Sequence, residues 1–254
     1  MEIKIKLKRT FGTGKPKYKR LTSQYVESSQ AWVEDIYEVE MGNIVFNKKC
    51  NDKCLIDKIT NWLTNEQVFF YNNDVYIDSN YQLNCDGDIK IEIKQDKIPD
   101  FITFNEVKGE FILRGGELVS LRGVPIKVGK RFDCSGNKIN TLEYSPTIIG
   151  FNVSEGDYCN FNCSNNNLSS LKYSPNVVYG DYFCYNNNLE TLEYIQDEIN
   201  GMLICMNNKI TTLKDAPKLI KGDFNVNNNL ITSVDNCKTT VIGDFKCKKN
   251  LILK

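Results

Sequence analysis

Residues 222–234 read GDFNVNNNLITSV and repeat the pattern of an earlier stretch, YGDYFCYNNNLETLEY at residues 179–194. Self-similarity at a fixed period of 20 to 50 residues is typical of repeat architectures. Each repeat in such a protein is one supersecondary unit that buries its apolar side against its neighbours. The pattern therefore predicts a stack of similar turns.

One anchor position defines the register of these turns. Seven anchors share the same surroundings, and all are apolar or cysteine: Leu113, Cys134, Cys163, Cys184, Cys205, Val226 and Cys247. They follow one another at intervals of 21 residues, apart from the 29 residues between Cys134 and Cys163. An apolar or aromatic residue stands two positions before each anchor, and an apolar residue stands five positions after it. We predict about seven turns over residues 109–254, with an insertion at residues 151–158.

Asparagine occupies a fixed column in these turns. It stands three positions after six anchors, as Asn137, Asn166, Asn187, Asn208, Asn229 and Asn250. A side-chain amide at one fixed position can bond the main chain of adjacent turns, so the column predicts a buried ladder of asparagines. The asparagine runs lack the aspartates of a calcium loop, and we expect no calcium site there.

The resulting frame, F-x-C-x-x-N-x-L-x-x-L, resembles the L-x-L-x-x-N-x-L core of leucine-rich repeats, with cysteine in the place of one leucine. In period and residue type it is similar to the short leucine-rich-repeat-like arrays of bacteria and bacteriophages, over about residues 109–254. The resemblance implies an open solenoid that presents its strand face to a partner. The expected fold is mainly β, a leucine-rich-repeat-like solenoid with an α+β N-terminal cap at residues 1–108, or a separate domain there.

The amino-acid composition limits the kinds of catalytic and metal site that the chain can form. The chain has 254 residues, 32 basic and 32 acidic side chains, and no histidine. Triads that need histidine, imidazole general bases and zinc sites with an imidazole ligand are therefore excluded. Adjacent carboxylates such as Glu34 and Asp35 would point apart, so we expect no catalytic pair and a protein that is not an enzyme.

The ten cysteines divide between the anchor column and other positions. The five anchor cysteines alternate with Leu113 and Val226, as small buried apolar residues do, and we interpret them as core packing. Cys50, Cys54 and Cys85 lack a fourth ligand for zinc. We expect neither a metal nor a cofactor.

Residues 1–108 lie outside the 21-residue frame and predict mixed secondary structure. Alternation of Ile3, Ile5 and Leu7 with lysines predicts a strand. Apolar spacing predicts helices over residues 29–40 and 52–64, the second capped by Asn51 or Asp52. Two hairpins are also predicted: residues 68–71 with 75–77 around Asn72-Asn73-Asp74, and a second pair of strands at Asp86-Gly87 leading to residues 89–93.

The N-terminal segment carries a concentrated positive charge, which leaves a second function open. Residues 4–20 hold eight basic side chains with Phe11 and Tyr18 between them. Such a segment could bind nucleic acid while the solenoid dimerises, although a solvated strand and loop also explain it. Gly12-Thr13-Gly14-Lys15 lacks the first glycine and the hydroxyl of a phosphate-binding loop, and we discard that interpretation.

The candidate binding surface follows from strand geometry. Residues one before and one after each anchor point away from the core, because side chains alternate across a strand. At most anchors these residues are polar, as in Asp133, Ser135, Asn162 and Ser164. Four large apolar residues break the rule on two neighbouring turns, and a fifth, Met202, lies just outside them; the four are Phe183, Tyr185, Ile204 and Met206. We predict an exposed apolar patch rimmed by Asp181, Asp223, Lys246 and Lys248, unless a loop or a second copy covers it.

The insertion is a second candidate contact region, because insertions into repeats often lie on the binding face. Its candidate residues are Phe151, Glu155, Asp157 and Tyr158. The N-terminus lacks the apolar core of a signal peptide, and no stretch is long and apolar enough to span a membrane. We expect a cytoplasmic protein-binding module, and the resemblance to short leucine-rich-repeat-like arrays implies a phage- or bacterium-encoded inhibitor or adaptor acting on a bacterial protein such as a host defence protein.

Overall fold

The computed structural model describes two long segments, residues 80–154 and 159–252, together with shorter pieces of the N-terminal part. The shorter pieces are residues 3–7, 18–21, 24–26, 31–33, 36–39, 42–44, 55, 58–59, 61–63, 67–71 and 73–78.

Six short strands are described before residue 50. They are β1 (Ile3–Leu7), β2 (Tyr18–Leu21), β3 (Gln24–Val26), β4 (Ala31–Val33), β5 (Ile36–Val39) and β6 (Gly42–Ile44). The strand predicted at residues 3–7 is confirmed as β1. The helix predicted over residues 29–40 is wrong, because β4 pairs antiparallel with β3, and β5 pairs antiparallel with β2 and β6. The alternation of Tyr37 and Val39 was the better guide there, since a period of two is that of a strand.

Helical backbone is described at residues 55, 58, 59 and 61–63, inside the helix predicted over residues 52–64. Ile59, Trp62 and Leu63 of this segment are buried in the main hydrophobic core. The predicted capping residues and Cys50 and Cys54 lie outside the described residues. In the part of the chain that the structure describes, no helix is long and apolar enough to cross a membrane.

From residue 67 onward the strands lie on two sides of a stack. Sheet I has nine strands: β7 (Gln67–Tyr71), β10 (Asp88–Glu92), β12 (Phe111–Arg114), β14 (Phe132–Asp133), β16 (Asn160–Asn162), β18 (Asp181–Phe183), β20 (Leu203–Ile204), β22 (Phe224–Asn225) and β24 (Phe245–Lys246). Sheet II contains β1, β8 (Asn73–Ile77), β9 (Leu83–Cys85), β11 (Phe104–Val107), β13 (Lys127–Val128), β15 (Ile148–Ile149) and β17 (Val177–Val178). Sheet III contains β19 (Glu198–Ile199), β21 (Leu219–Ile220) and β23 (Thr240–Val241).

Successive turns are joined by parallel pairing. In sheet I each strand from β10 to β22 pairs with the strand one turn later, so Phe132 pairs with Phe161 and Phe224 with Phe245. The protein is therefore mainly β and forms a parallel β-solenoid of about eight turns. The sequence predicted about seven. The additional turn precedes residue 109, where Ile91 of β10 pairs with Leu113 at a spacing of 22 rather than 21 residues.

The two predicted hairpins are wrong, although their strands exist. β7 pairs with β10 in sheet I, whereas β8 pairs with β1 and β9 in sheet II. Likewise β9 and β10 flank Asp86-Gly87 but belong to different sheets. The physical reason is that a solenoid corner sends the chain from one sheet to the other at both of these turns, so β7 does not pair with β8 and β9 does not pair with β10.

A column of aromatic residues fills the core behind sheet I. The Phe111 and Phe132 rings stack with centroids 6.0 Å apart, and Phe132 stacks on Phe161 at the same distance. Tyr182 continues the column edge-on to Phe161 at 5.0 Å, and its buried hydroxyl lies 2.6 Å from that of Ser174. Each turn thus contributes one ring two positions before its anchor, or Leu203 in its place.

Candidate functional site

The asparagine ladder holds the outward columns of sheet I in register. Asn187 Nδ2 donates to Cys184 O of its own turn and Cys163 O of the preceding turn, both at 3.1 Å. Its Oδ1 accepts from the Leu168 N–H at 3.0 Å. The same bonds recur at the other buried asparagines of the column, so the predicted ladder is confirmed: Asn137, Asn166, Asn208 and Asn229.

A second asparagine row, which the sequence reading missed, borders sheet I one position earlier. Its members are exposed and have positive φ: Asn165, Asn186, Asn207 and Asn228. The side-chain amides of Asn186, Asn207 and Asn228 each donate to the side-chain carbonyl oxygen of the previous member, as Asn207 Nδ2 does to Asn186 Oδ1 at 2.6 Å. Asparagine tolerates the left-handed region. Gly136, with a φ of 68°, occupies the same column. A glycine at this position is the feature of the sequence that could have indicated the positive φ of the row.

The anchor cysteines lie behind this face. Cys134, Cys163, Cys184 and Cys205 are fully buried, which confirms their predicted inward position, and Cys247 is half-buried. Burial raises the pKa of the Cys163 thiol well above its ordinary value of 9.0, and the same cause raises the pKa of Cys205. These thiols are therefore protonated packing groups at neutral pH. Among the described residues no group of three or more histidine, cysteine, aspartate or glutamate side chains could hold a metal ion.

The structure brings the predicted apolar residues together. Phe183 of β18 pairs in register with Ile204 of β20. On the outer sides of this pair, Asn162 lies beside Phe183 and Asn225 lies beside Ile204. In the next outward column, just beyond the two strands, the Asn186 N–H donates to Met206 O at 3.0 Å, which places Tyr185 and Met206 side by side on adjacent turns. We call the set Phe183, Tyr185, Met202, Ile204 and Met206 the apolar patch.

Accessibility of the apolar patch is graded. Met202 is 37% exposed, and the other four side chains are half-buried. The Met202 N–H donates to Asp181 Oδ1 at 2.7 Å, so a rim carboxylate is fixed beside the patch. The patch is therefore accessible apolar surface with a polar border.

Charged groups border the patch on the side of the later turns. Lys246 Nζ lies 2.7 Å from Asp223 Oδ2 and 3.6 Å from Asp244 Oδ2. The Lys246 ammonium lowers the pKa of Asp223, and that carboxylate in turn raises the pKa of Lys246. Lys248 is exposed next to them.

The earlier turns border the patch with polar groups that are less accessible than predicted. Asp133, expected to face solvent, is only 4% exposed and pairs with Arg131. Ser164 is fully buried, and its hydroxyl donates to Asn162 Oδ1 at 2.6 Å. Asn160 Oδ1, in the column of Asp181, is buried and has no hydrogen-bond partner. This side of sheet I is therefore densely packed and polar.

The insertion emerges at a corner between β15 and β16 rather than from the outward columns of sheet I. Phe151 is exposed, and Asn152 folds back so that its side chain donates to Lys108 O at 3.1 Å. A Cβ added at Gly150, where φ is 91°, would lie 2.0 Å from Cys159 Sγ, so the two ends of the insertion are close together. Glu155, Asp157 and Tyr158 lie outside the described residues.

Three exposed tyrosines form a further row that the sequence reading missed. Tyr144, Tyr173 and Tyr194 each stand ten positions after an anchor and have φ between 68° and 72°. They lie after sheet I in their turns, outside the apolar patch.

No family model, curated protein or solved structure matches the chain. The class that the structure itself defines is the parallel β-solenoid.

Proposed function

We propose that this protein is a non-enzymatic protein-binding module that holds one protein partner against the apolar patch. The observation that carries the proposal is the in-register pairing of Phe183 with Ile204 beside Tyr185 and Met206, on adjacent strands of a regular sheet. Contiguous apolar patches with a polar rim mark interaction sites on soluble proteins.

The chemistry of the patch supports a protein partner. Tyrosine, phenylalanine and methionine are enriched in protein interfaces, and charged residues are depleted at interface centres and frequent at their rims. The patch has this arrangement, with aromatic and methionine side chains at the centre and Asp181, Asp223 and Lys246 at its border. A rigid sheet also presents these groups at little entropic cost, because its strands are already ordered in the free protein.

The resemblance to short repeat arrays of bacteria and bacteriophages supports the biological setting. We propose a phage- or bacterium-encoded inhibitor or adaptor that works in the bacterial cytoplasm, with a host protein, such as a defence protein, as its target. Repeat arrays offer extended binding surfaces made of neighbouring turns, which fits a role by occlusion rather than catalysis.

The test is a comparison of partner binding by matched variants. Affinity purification from bacterial lysate with mass spectrometry identifies the partner, and titration then measures its dissociation constant. Phe183→Ser with Tyr185→Ser should weaken binding by about 2 kcal/mol or more, about 30-fold, as for aromatic hot spots. Tyr173→Ser with Tyr194→Ser also removes two rings on neighbouring turns, but outside the patch, and should leave binding unchanged.

Unchanged binding by the folded patch variant would reject this site. Binding that falls steeply with salt and is carried by DNA or RNA would instead favour the basic segment 4–20, the alternative that the sequence leaves open.

A further inference from the structure

The turn anchored at Cys247 exposes side chains whose counterparts are buried in the other turns. Phe245 is 44% exposed, whereas Phe224, in the same column one turn earlier, is fully buried. Ile252 is 40% exposed, and its counterpart Ile231 is fully buried. In the preceding turn the side chains at these positions are covered by the turn that follows. In the turn anchored at Cys247 they lie at the surface.

The backbone of β24 offers hydrogen bonds at the same edge. The carbonyls of Asp244, Lys246 and Lys248 accept from N–H groups of the preceding turn at 2.8 to 2.9 Å. Because peptide groups of successive residues point to opposite sides of a strand, the N–H and C=O of Phe245 and Cys247 point away from β22. Such an edge is a template for another strand.

We propose that a second copy of this chain occupies this edge, with β24 paired antiparallel to β24 of the partner subunit about a twofold axis. The register has Phe245 opposite itself, so that the two residues exchange both backbone hydrogen bonds. A twofold interface is self-complementary, and a strand edge can satisfy it by antiparallel pairing.

Charge selects this register. With Phe245 opposite itself, Lys246 stands opposite Asp244 of the partner subunit, and the reciprocal pair forms by symmetry. Two neighbouring registers also keep the N–H and C=O groups of Phe245 and Cys247 facing the partner strand. One of them places Lys246 opposite Lys246, and the other places Asp244 opposite Asp244. Like charges directly opposite each other destabilise a strand pair, whereas opposite charges stabilise it. The sequence at β24 therefore favours one antiparallel register over its two neighbours.

The experiment is analytical ultracentrifugation of the whole chain over a concentration series, with light scattering as a second readout. The unmodified chain should show a reversible species of twice the 29.2 kDa chain mass. Lys246→Asp alone and Asp244→Lys alone should each raise the dimer dissociation constant by about tenfold or more. The double variant Lys246→Asp with Asp244→Lys restores opposite charges across the twofold axis and should recover most of the affinity.

The double variant also controls for damage within one chain. It leaves the ion pair between Lys246 and Asp223 broken, because residue 246 is then an aspartate. A chain that is monomeric at every concentration would overturn the proposal. So would a dimer indifferent to both single variants, or a double variant no better than the single ones while circular dichroism shows it folded.

Discussion

Single asparagines join the turns of this protein, and the two asparagine rows do different work. Asn187 is buried and satisfies main-chain groups of two turns, whereas its neighbour Asn186 is exposed and bonds only side chain to side chain in the row that includes Asn165. The residues are adjacent and chemically identical. Their positions relative to the anchor therefore determine how much each contributes to stability.

Asn187→Ala should lower the free energy of unfolding by about 1 to 3 kcal/mol, because the Leu168 N–H would be left buried without a partner and the Cys163 carbonyl would keep only its bond from Asn166. Asn186→Gly is the matched control and should cost well under half as much, since glycine adopts the positive φ of that position at no steric cost. Urea unfolding of the two variants measures the difference. Equal losses would show that the buried ladder is not the stronger link.

The buried thiols predict a loss of stability at alkaline pH. The folded-state pKa of Cys163 is raised by burial, so the folded protein holds this proton while the unfolded chain releases it near the ordinary pKa of 9.0. The free energy of unfolding should therefore be unaffected by this thiol below pH 9 and fall above it, by about 1.4 kcal/mol per pH unit for each such group.

Cys163→Val tests this assignment by removing one thiol. Valine occupies the same column at Val226, where it is fully buried, so stability at pH 7 should change little. Above pH 9 the variant should lose stability less steeply than the unmodified chain in urea unfolding. Cys163→Ser should instead cost about 1 to 3 kcal/mol at pH 7, because it buries a more strongly polar group. Rapid alkylation of native Cys163 would contradict its burial.

At the scale of elements, one side chain bridges the gap between sheets II and III. Gln196 Oε1 accepts from the Val178 N–H at 2.8 Å, and its Nε2 donates to Val178 O at 3.1 Å. Proline stands at the equivalent position of other turns, as in Pro175 and Pro217. The glutamine amide thus replaces main-chain pairing between β17 and β19.

Gln196→Ala should lower the free energy of unfolding by about 1 to 3 kcal/mol, because both backbone groups of Val178 lose their partner. Gln196→Glu keeps the acceptor for the Val178 N–H but cannot donate to the Val178 carbonyl when ionised, so it should not restore full stability. Thermal unfolding at pH 7 compares the two variants. If alanine proves neutral, the bridge has no structural role.

Deleting residues 151–158 should leave the melting temperature within a few degrees of the unmodified chain, since Gly150 and Cys159 already lie close together. Among the described residues of the insertion, the deletion removes the hydrogen bonds from the Asn152 side chain to Lys108 O and from the Asn152 N–H to Gly129 O. Partner affinity measured on the same sample shows whether the insertion takes part in binding, where we expect a weaker complex. Collapse of the fold would identify the insertion as an integral part of the stack.

The repeat could be predicted from the sequence because its period, anchors and asparagine column recur with nearly fixed spacing. The strand pairing of the N-terminal part could not be predicted, because local signals do not reveal the partner of a strand. The turn residues Asp86-Gly87 are compatible with a reversal within one sheet and with a corner that leads from β9 in sheet II to β10 in sheet I. At 29–40, spacings compatible with a helix competed with the alternation of a strand, and pairing with β2 and β6 favoured the strand.

At the scale of the whole molecule, the candidate site was predictable to the extent that side-chain alternation fixes direction. Alternation placed Phe183 and Ile204 outward, and parallel pairing placed them side by side. Alternation could not predict that Asp133 and Ser164 are buried, since that depends on hydrogen bonds and ion pairs with their neighbours. The direction of a side chain follows from the strand, whereas its exposure follows from its neighbours.

The reach of the asparagine bonds bears on how the protein is made. Asn187 contacts main-chain groups 19 and 24 residues earlier in the chain, so a turn can form these bonds once the next asparagine has left the ribosome. Ribosomes add about 5–20 residues per second, and a new 21-residue turn emerges about every 1 to 4 s. The nascent chain can therefore add each turn to a finished template during translation, without waiting for residues near its C-terminus.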